Sequence, residues 1–241
     1  MKMKDDAAEL GVKEDIIKSY FTENWGRFLL KMPSLLLGLF LFAVGVVANL
    51  YSDLGTAPWT VLHVGLSKIA SLTLGQTSQL VGFIVLVIGW GLGIPPGLST
   101  FANMYFIGYF IDLIMIWKIL PMPGDLMGRY AMLLFSVAMI GIASLFYMRV
   151  QLGAGPRDGL MVGLVSKLDR PVSTIRTAIE VTVLAIGFLL GGPVGIGTLV
   201  NALLMGPAVQ ASFRLGGFNA KSEQINLYKL ANCLSGREEL P

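Results

Sequence analysis

One carboxylate with a basic partner lies in a stretch of sequence that is otherwise almost free of charge. Glu180 falls in the apolar run 177–213, and Arg176 precedes it by four residues. A charge within lipid is costly and usually faces the protein interior, and residues four apart share one face of a helix. Two interpretations stay open: Glu180 is a protonatable or cation-coupling carboxylate, or Arg176 and Glu180 form a static ion pair near the membrane edge.

A second candidate for chemistry is a phrase that the chain contains twice. DLGTAPWTVLHVGL begins at residue 53, and QLGAGPRDGLMVGL begins 98 residues later. In each copy a glycine-containing loop leads to a proline, Pro58 or Pro156, which suits the first turn of a helix. Such a helix start presents free N–H groups and a positive dipole end, and Arg157 adds a full charge. The phrase therefore predicts an anion or carboxylate site at one or both helix starts. Alternatively the loop only turns the chain, and Asp158 complements the dipole.

Polar pairs with the same spacing follow each copy of the phrase. They are Thr100 with Asn103, and Thr198 with Asn201. Residues three apart share a helix face, and threonine is suited to cap the helix. Asparagine within a membrane helix needs a partner, which is either another helix or a solute. The pairs either line a common cavity between the two copies or hold neighbouring helices together.

The sequence contains little material for catalysis or metal binding. His63 is the only histidine, and Cys233, near the C-terminus, is the only cysteine. This excludes a zinc site of the usual kind and a Cys–His nucleophile. No HExxH pair, Ser–His couple or nucleotide-binding signature is present. We expect no catalytic residue, no metal and no cofactor, so the chain is not predicted to be an enzyme. Its net charge of +3 gives no reason to expect nucleic-acid binding.

The elements that must position these residues are membrane helices. The chain of 241 residues is 54% hydrophobic and only 14% charged, whereas a soluble domain is about 25% charged. Residues 32–50 carry no charge, and this run is long enough to span the hydrocarbon core of a bilayer. Similar runs follow along the chain, while the first 31 residues are of mixed charge and do not resemble a signal peptide. The predicted class is an all-α polytopic membrane protein whose partner is the lipid bilayer.

The repetition extends well beyond the opening phrase. Between positions 54 and 108, 18 of the 55 residues are identical to those 98 positions later, with glycines and prolines in register. We interpret this as two tandem homologous repeats of four helical segments each, the second segment of each repeat being short. The predicted organisation is a polar N-terminal arm at 1–31, repeat one at 32–118, a linker at 119–128, repeat two at 129–213 and a polar tail at 214–241.

The length of the second segment decides the topology. It offers about 15 residues, or roughly 22 Å of helix, which is less than the thickness of a bilayer core. If it crosses, eight crossings make the repeats parallel; if it is a half-helix, six crossings make them inverted, as in many transporters. The placement of lysine and arginine favours eight crossings by a single residue. Both arrangements put both termini in the cytoplasm.

Two motifs carry a resemblance to a known group of proteins. They are LGxxPxxxLxxGL, at 54–66 and 152–164, and GxxTxxN, at 97–103 and 195–201. Over roughly residues 33–213 the chain resembles the bacterial YczE/YyaS/YitT group of membrane proteins, and the YczE branch most. Asp158 belongs to the second copy alone, since the first has Thr60 there. The resemblance implies an integral protein of the bacterial inner membrane that is transporter-like, and it supplies no catalytic residues.

Two functions compete at this stage. The first is a small secondary transporter or permease for a small solute, an anion being one candidate, with a midplane cavity between the repeats. The rival is a membrane accessory or scaffold protein that assists another enzyme or exporter. In the first case the cavity is surrounded by the candidate residues Pro58, Thr100, Asn103, Pro156, Arg157, Asp158, Arg176, Glu180, Thr198 and Asn201.

Overall fold

The fold is known from a computed structural model, which describes residues 2–219 and 222–241, with side chains from residue 21 onwards. Within these residues all regular secondary structure is helical, so the predicted all-α class is confirmed. The helices are α1 (Lys2–Tyr51), α2 (Pro58–Ala70), α3 (Leu74–Gly91), α4 (Leu98–Ile116), α5 (Leu126–Met148), α6 (Pro156–Leu168), α7 (Val172–Leu189), α8 (Ile196–Leu215) and α9 (Leu227–Leu234).

Local sequence signals set where these helices begin. The first helical residue of both α2 and α6 is a proline, where the missing N–H costs nothing. At the start of α3, the Thr73 hydroxyl accepts from the Gln76 N–H at 3.0 Å, and the Gln76 side chain accepts from the Thr73 N–H at 3.0 Å. This reciprocal capping box satisfies two N–H groups that the helix leaves without partners.

Six of the described helices are long and apolar enough to cross a membrane: α3, α4, α5, α7, α8 and the Phe21–Tyr51 part of α1. The chain is therefore an integral membrane protein, as its composition predicts. The helices α2 and α6 have 13 residues each, or about 20 Å, which is too short for a bilayer core. The preference for eight crossings is not confirmed, because two of the eight segments lack the length.

The central helix pair shows how the two halves are oriented. A Cβ added at Gly38 would lie 2.7 Å from the Tyr147 nitrogen, and one at Gly45 would lie 2.5 Å from Ile140 Cγ1. As the numbering rises along α1, the contact therefore moves back along α5, so the two helices are antiparallel. They are equivalent under the predicted 98-residue offset. The preference for parallel repeats is thus wrong, and the halves are inverted with respect to each other.

The remaining helices exchange partners between the halves. Helix α2 packs on α7 and α3 packs on α6, so each short helix lies against a long helix of the other half. Within the halves, α1 packs on α4 and α5 packs on α8. Each of these contacts has a counterpart 98 residues away. The contact of α3 along α4 has no such counterpart, because α7 and α8 make at most a marginal contact.

The segments predicted as a polar N-terminal arm and a polar C-terminal tail both contain helix among the described residues. Helix α1 runs without a break through Pro33, so the predicted boundary after residue 31 is not a helix end. The C-terminal segment returns to α1, where Asn24 Nδ2 donates to the carbonyls of Cys233 and Glu238 at 2.6 and 2.8 Å. Burial raises the pKa of the Cys233 thiol, which makes it a poor nucleophile. Leu230 and Cys233 of α9 join the buried core around α1 and α4.

Labelling of single cysteines tests the six-crossing arrangement. Arg129 bonds Asp53 at 3.0 Å, which ties the start of α5 to the end of α1. Thr56 bonds the Pro193 carbonyl at that same end, so α7 must begin at the opposite face. In a Cys233→Ala background we expect Gly124→Cys and Asp169→Cys to react with an impermeant maleimide from opposite faces. Eight crossings would place both on one face.

A glycine substitution tests the α1–α5 contact. We expect Gly45→Ala to lower stability by about 1–3 kcal/mol, because its methyl group overlaps Ile140 at a tightly packed crossing. Gly26→Ala is the matched control, since it also lies within α1 and nothing is within 4 Å of the added Cβ. Thermal unfolding in detergent should show a lower midpoint for the first variant and an unchanged or higher midpoint for the second. Equal midpoints would contradict the contact.

Candidate solute site around the short helices

The two copies of the repeated phrase lie where the halves of the molecule cross. The Leu152 carbonyl, just after α5, accepts from the Ser99 N–H at the start of α4 at 2.8 Å. The Leu54 carbonyl, just after α1, accepts from the Gly197 N–H at the start of α8 at 2.6 Å. These two bonds join positions that are equivalent under the 98-residue offset. Each phrase therefore joins the end of the first helix of one half to a helix start in the other half.

Glycine is required at these crossings because backbone meets backbone. A Cβ at Gly97 would lie 2.4 Å from the Leu152 carbonyl oxygen and 2.6 Å from the Gly153 Cα. At the other crossing, a Cβ at Gly55 would lie 2.3 Å from the Gly195 nitrogen. Gly55 and Gly153 also have φ values of +96° and +118°, and residues other than glycine rarely adopt such values. The LG pair of the phrase is thus explained by packing.

A cavity of about 240 Å³ opens at the start of α6. Three of the predicted site residues line it: Thr100, Pro156 and Asp158. The rest of the wall was not assigned to a site from sequence: it comes from the segments 94–97, 153–155 and 224–226, from Leu86 and Gly89 of α3, and from Gly159 and Val162 of α6. Residues 224–226 belong to the C-terminal segment, which bonds there through Ile225 N–H to the Gln151 carbonyl at 3.0 Å.

Hydrogen bonds hold the polar groups of this cavity in place. The Thr100 hydroxyl donates to the Ala154 carbonyl at 2.6 Å and accepts from the Gly97 N–H at 2.9 Å. Its role is therefore to fix the crossing. The Tyr147 hydroxyl lies 3.3 Å from Asp158 Oδ2, which orients that carboxylate at the cavity wall. Asn103 lies nearby, since its Nδ2 would be 3.7 Å from a Cβ at Gly155.

Arg157 connects the two short helices. Its guanidinium carbon lies 4.4 Å from the centre of the Trp59 ring of α2, a cation–π geometry. Glu180 and Asp158 both act on Arg157 as nearby negative charges. Half-buried over the Trp59 ring, Arg157 is the least exposed basic residue of α2 and α6, since Lys68 and Lys167 are both exposed.

Arg176 and Glu180 do not form the ion pair that one interpretation expected. Among the described residues no salt bridge within 4 Å joins them. Arg176 is exposed and Glu180 is half-buried. The charge of Arg176 acts on Asp158, and that of Glu180 acts on Arg157. Both residues of α7 therefore interact electrostatically with residues at the start of α6. The coupling role of Glu180 stays a prediction.

The other predicted residues gather around the start of α2. Thr198 Oγ1 accepts from the Gly195 N–H at 3.2 Å, and Asn201 Nδ2 donates to the Gly197 carbonyl at 2.7 Å. Asn201 is 1% exposed, and its Oδ1 has no hydrogen-bond partner. Pro58 is half-buried at this end. The ten predicted residues thus form two clusters, one at each short helix, and only the α6 cluster adjoins the 240 Å³ cavity.

Several polar residues of these clusters were not assigned to the site from sequence. Asn49 Oδ1 accepts from the Ala57 N–H at 3.1 Å, and it is the equivalent of Tyr147 under the 98-residue offset. Thr56 and His63 are 1% and 2% exposed, and Thr56 Oγ1 and His63 Nε2 have no partner. Asn49 and Tyr147 are equivalent under the offset, but their residue types differ, so the repeat pattern did not identify Asn49. His63 stands where the second copy has Met161, so its burial had no signal in the repeat.

The described residues define an integral membrane protein with six helices long and apolar enough to cross a membrane and two short helices, α2 and α6, packed among them. The chain belongs to the family of unknown function DUF6198, whose model matches residues 29–214. It is 34% identical over 189 residues to an uncharacterised protein of Haemophilus influenzae, covering 78% of this chain and 86% of the relative.

Two relatives from Bacillus subtilis agree with this assignment. The uncharacterised membrane protein YczE is 34% identical over 173 residues, covering 70% of this chain and 79% of the relative. The uncharacterised protein YyaS is 27% identical over 172 residues, covering 70% of this chain and 86% of the relative. The resemblance to the YczE branch is confirmed. No solved structure matches the chain.

The hydroxyl of Thr100 offers a test of the crossing. We expect Thr100→Val to lower stability by about 1–3 kcal/mol, since the Gly97 N–H and the Ala154 carbonyl lose their shared buried partner. Thr100→Ser should restore most of the loss. Thr198→Val is the matched control at the other crossing, where one longer bond of 3.2 Å is lost, and its effect should be smaller. Thermal unfolding of the purified variants measures both, and equal losses would contradict the assignment.

Proposed function

We propose that the protein is a small secondary permease whose solute binds at the start of α6, between the two inverted halves. The observation that carries this proposal is the start of a short helix inside the bundle, next to a cavity of about 240 Å³. In many secondary transporters, the substrate site is formed by helices that begin in the membrane interior, in halves of opposite orientation. The driving energy would come from a gradient, and no catalytic step is proposed.

The charges around α6 favour an anionic solute. A helix start presents N–H groups and the positive end of the helix dipole, and Arg157 adds a guanidinium that is half-buried next to Trp59. In the absence of solute, Asp158 and Glu180 balance that charge, since an unpaired buried charge is costly. A small anion would compete with these carboxylates for Arg157. Glu180 would then be free to bind a proton or cation, which is the coupling role predicted for it.

Placement in the bacterial inner membrane, with both termini in the cytoplasm, is part of the same proposal. It rests on the distribution of lysine and arginine among the loops. The return of the C-terminal segment to Asn24 of α1 supports the placement of both ends at one face.

A scaffold function is the second candidate, and one observation favours it. The hydroxyls of Thr100 and Thr198 are bonded within the protein, as expected of residues that hold helices together. The charged groups at α6 distinguish the two candidates. A scaffold has no use for Arg157, Asp158 and Glu180 around one helix start, and their neutral replacement should then leave every solute response unchanged.

Anion uptake into proteoliposomes tests the permease. The probes are inorganic phosphate, sulfate and acetate, first screened for their effect on the thermal midpoint of the purified protein. We expect at least one to stabilise the wild type and to be taken up, and Arg157→Ala to weaken that response by about tenfold, the effect of losing one favourable charge contact. Arg157→Lys should retain part of it.

Arg149→Ala is the control variant, because Arg149 also lies over an aromatic ring, Phe146, at 5.3 Å, but it is exposed outside the α6 cluster. Its uptake should equal that of the wild type. If Arg157→Ala and the wild type respond alike to all three anions, the anion site is wrong. If no gradient drives uptake of any probe while the protein is folded, the scaffold function gains the support that the permease loses.

A further inference from the structure

The largest difference between the halves is a contact between outer helices. α3 packs along α4, but their counterparts α7 and α8 stand apart. The membrane-crossing parts of α7 and α8 are each 17% buried, compared with 39% and 33% for α3 and α4. On α7 the side chains of Ser173, Thr174, Thr177, Ala178 and Val181 are all exposed. The long helices α3, α4, α1, α5 and α8 are therefore joined in a row, whereas α7 does not join α8. We call the α3–α4 contact the closed side and the α7–α8 gap the open side.

The closed side is sealed by close backbone approach and two sets of hydrogen bonds. A Cβ at Gly75 would lie 2.1 Å from the Gly108 carbonyl oxygen. Asp112 of α4 accepts from the Gly75 N–H at 2.9 Å and from the Thr73 hydroxyl at 2.5 Å, so it caps α3. Gln79 Nε2 donates to the carbonyl of Tyr105 at 2.9 Å.

On the open side, the residues at the equivalent positions of α7 and α8 are complementary in size, but the two helices are not packed together. On the closed side Gly82 faces the larger Met104, whose Cγ would lie 3.1 Å from a Cβ at Gly82. Under the 98-residue offset these positions are Glu180 and Ala202, so the large residue has changed helices and the sizes still match.

The hydrogen-bond positions are complementary as well. Gln79 corresponds to Thr177, and the Tyr105 carbonyl corresponds to that of Leu203. Pro207 lies four residues after Leu203 within α8, and proline has no N–H to donate to that carbonyl. An acceptor is thus available on α8 opposite a hydroxyl donor on α7. The proline after Gly206 also marks a point where α8 can bend.

We propose that the gap between α7 and α8 is the open mouth of the solute route, and that α7 and α8 close in a second state in the way that α3 and α4 are closed here. This inference rests on the proposed permease. Closure would bring Glu180, which acts on Arg157, against Ala202 and bury it beside the solute site. Inverted halves then exchange conformations, so that α3 and α4 separate when α7 and α8 meet.

Matched cysteine pairs test the exchange in a Cys233→Ala background. The first pair is Gln79→Cys with Tyr105→Cys, on helices in contact here; the second is Thr177→Cys with Leu203→Cys, at the equivalent positions. We expect a short bifunctional thiol reagent to cross-link both pairs in native membranes, in different molecules. In a protein carrying all four cysteines, cross-linking one pair should exclude the other.

A bulky substitution supplies the second arm of the test. Ala202→Phe should hold α8 away from Glu180 and reduce the 177–203 cross-link to the level of single-cysteine proteins, with the 79–105 cross-link retained. Ala211→Phe is the control, because Ala211 is also an exposed alanine of α8 but lies off the face toward α7. The inference is overturned if the 177–203 pair never cross-links, or if both pairs cross-link in the same molecules.

These readouts report geometry and do not depend on uptake. Exclusive cross-linking without uptake of any probe would leave the conformational exchange standing and count against the permease. Uptake combined with a 177–203 pair that never cross-links would support the permease and overturn the conformational exchange.

Discussion

The structure depends on the place where two loops cross the helix starts of the opposite half. There the carbonyls of Leu54 and Leu152 accept from Gly197 and Ser99 at 2.6 and 2.8 Å. Backbone groups in lipid must find partners within the protein, since no water is available to them. Glycine provides the close approach and proline the immediate helix start that make such a crossing possible. The short helices, the cavity and Arg157 all take their positions from it.

The crossing also explains why the packing of the halves and the proposed solute site coincide in this fold. Each short helix must begin within the protein, because its preceding loop is bonded to the other half. A buried helix start leaves N–H groups and a positive dipole end in the interior. The same constraint that joins the halves therefore places polar groups in the interior. Arg157, Asp158 and Glu180 gather at the start of one of the two short helices. The chemistry is concentrated in one half, while the architecture is shared by both.

The differences between the halves are as informative as their likeness. At the equivalent of Asp158 the first half has Thr60, and at the equivalent of Gly82 the second has Glu180. The contact that Gly82 permits between α3 and α4 has no counterpart between α7 and α8. Substitutions at a few positions of a common framework thus give one half a sealed outer wall and the other an open one.

The sequence by itself determined the membrane class, the starts of the two short helices, the offset of 98 residues and the residue types at each short helix. These follow from composition, proline and glycine placement and spacing, which are local properties. Only the tertiary structure decided the orientation of the halves, because the charge bias between loops differed by one residue and could not tell six crossings from eight. It also divided the predicted site residues into two clusters. Asp112 shows the reason: its partners Gly75 and Thr73 are far away in sequence, and contacts of that range leave no local pattern.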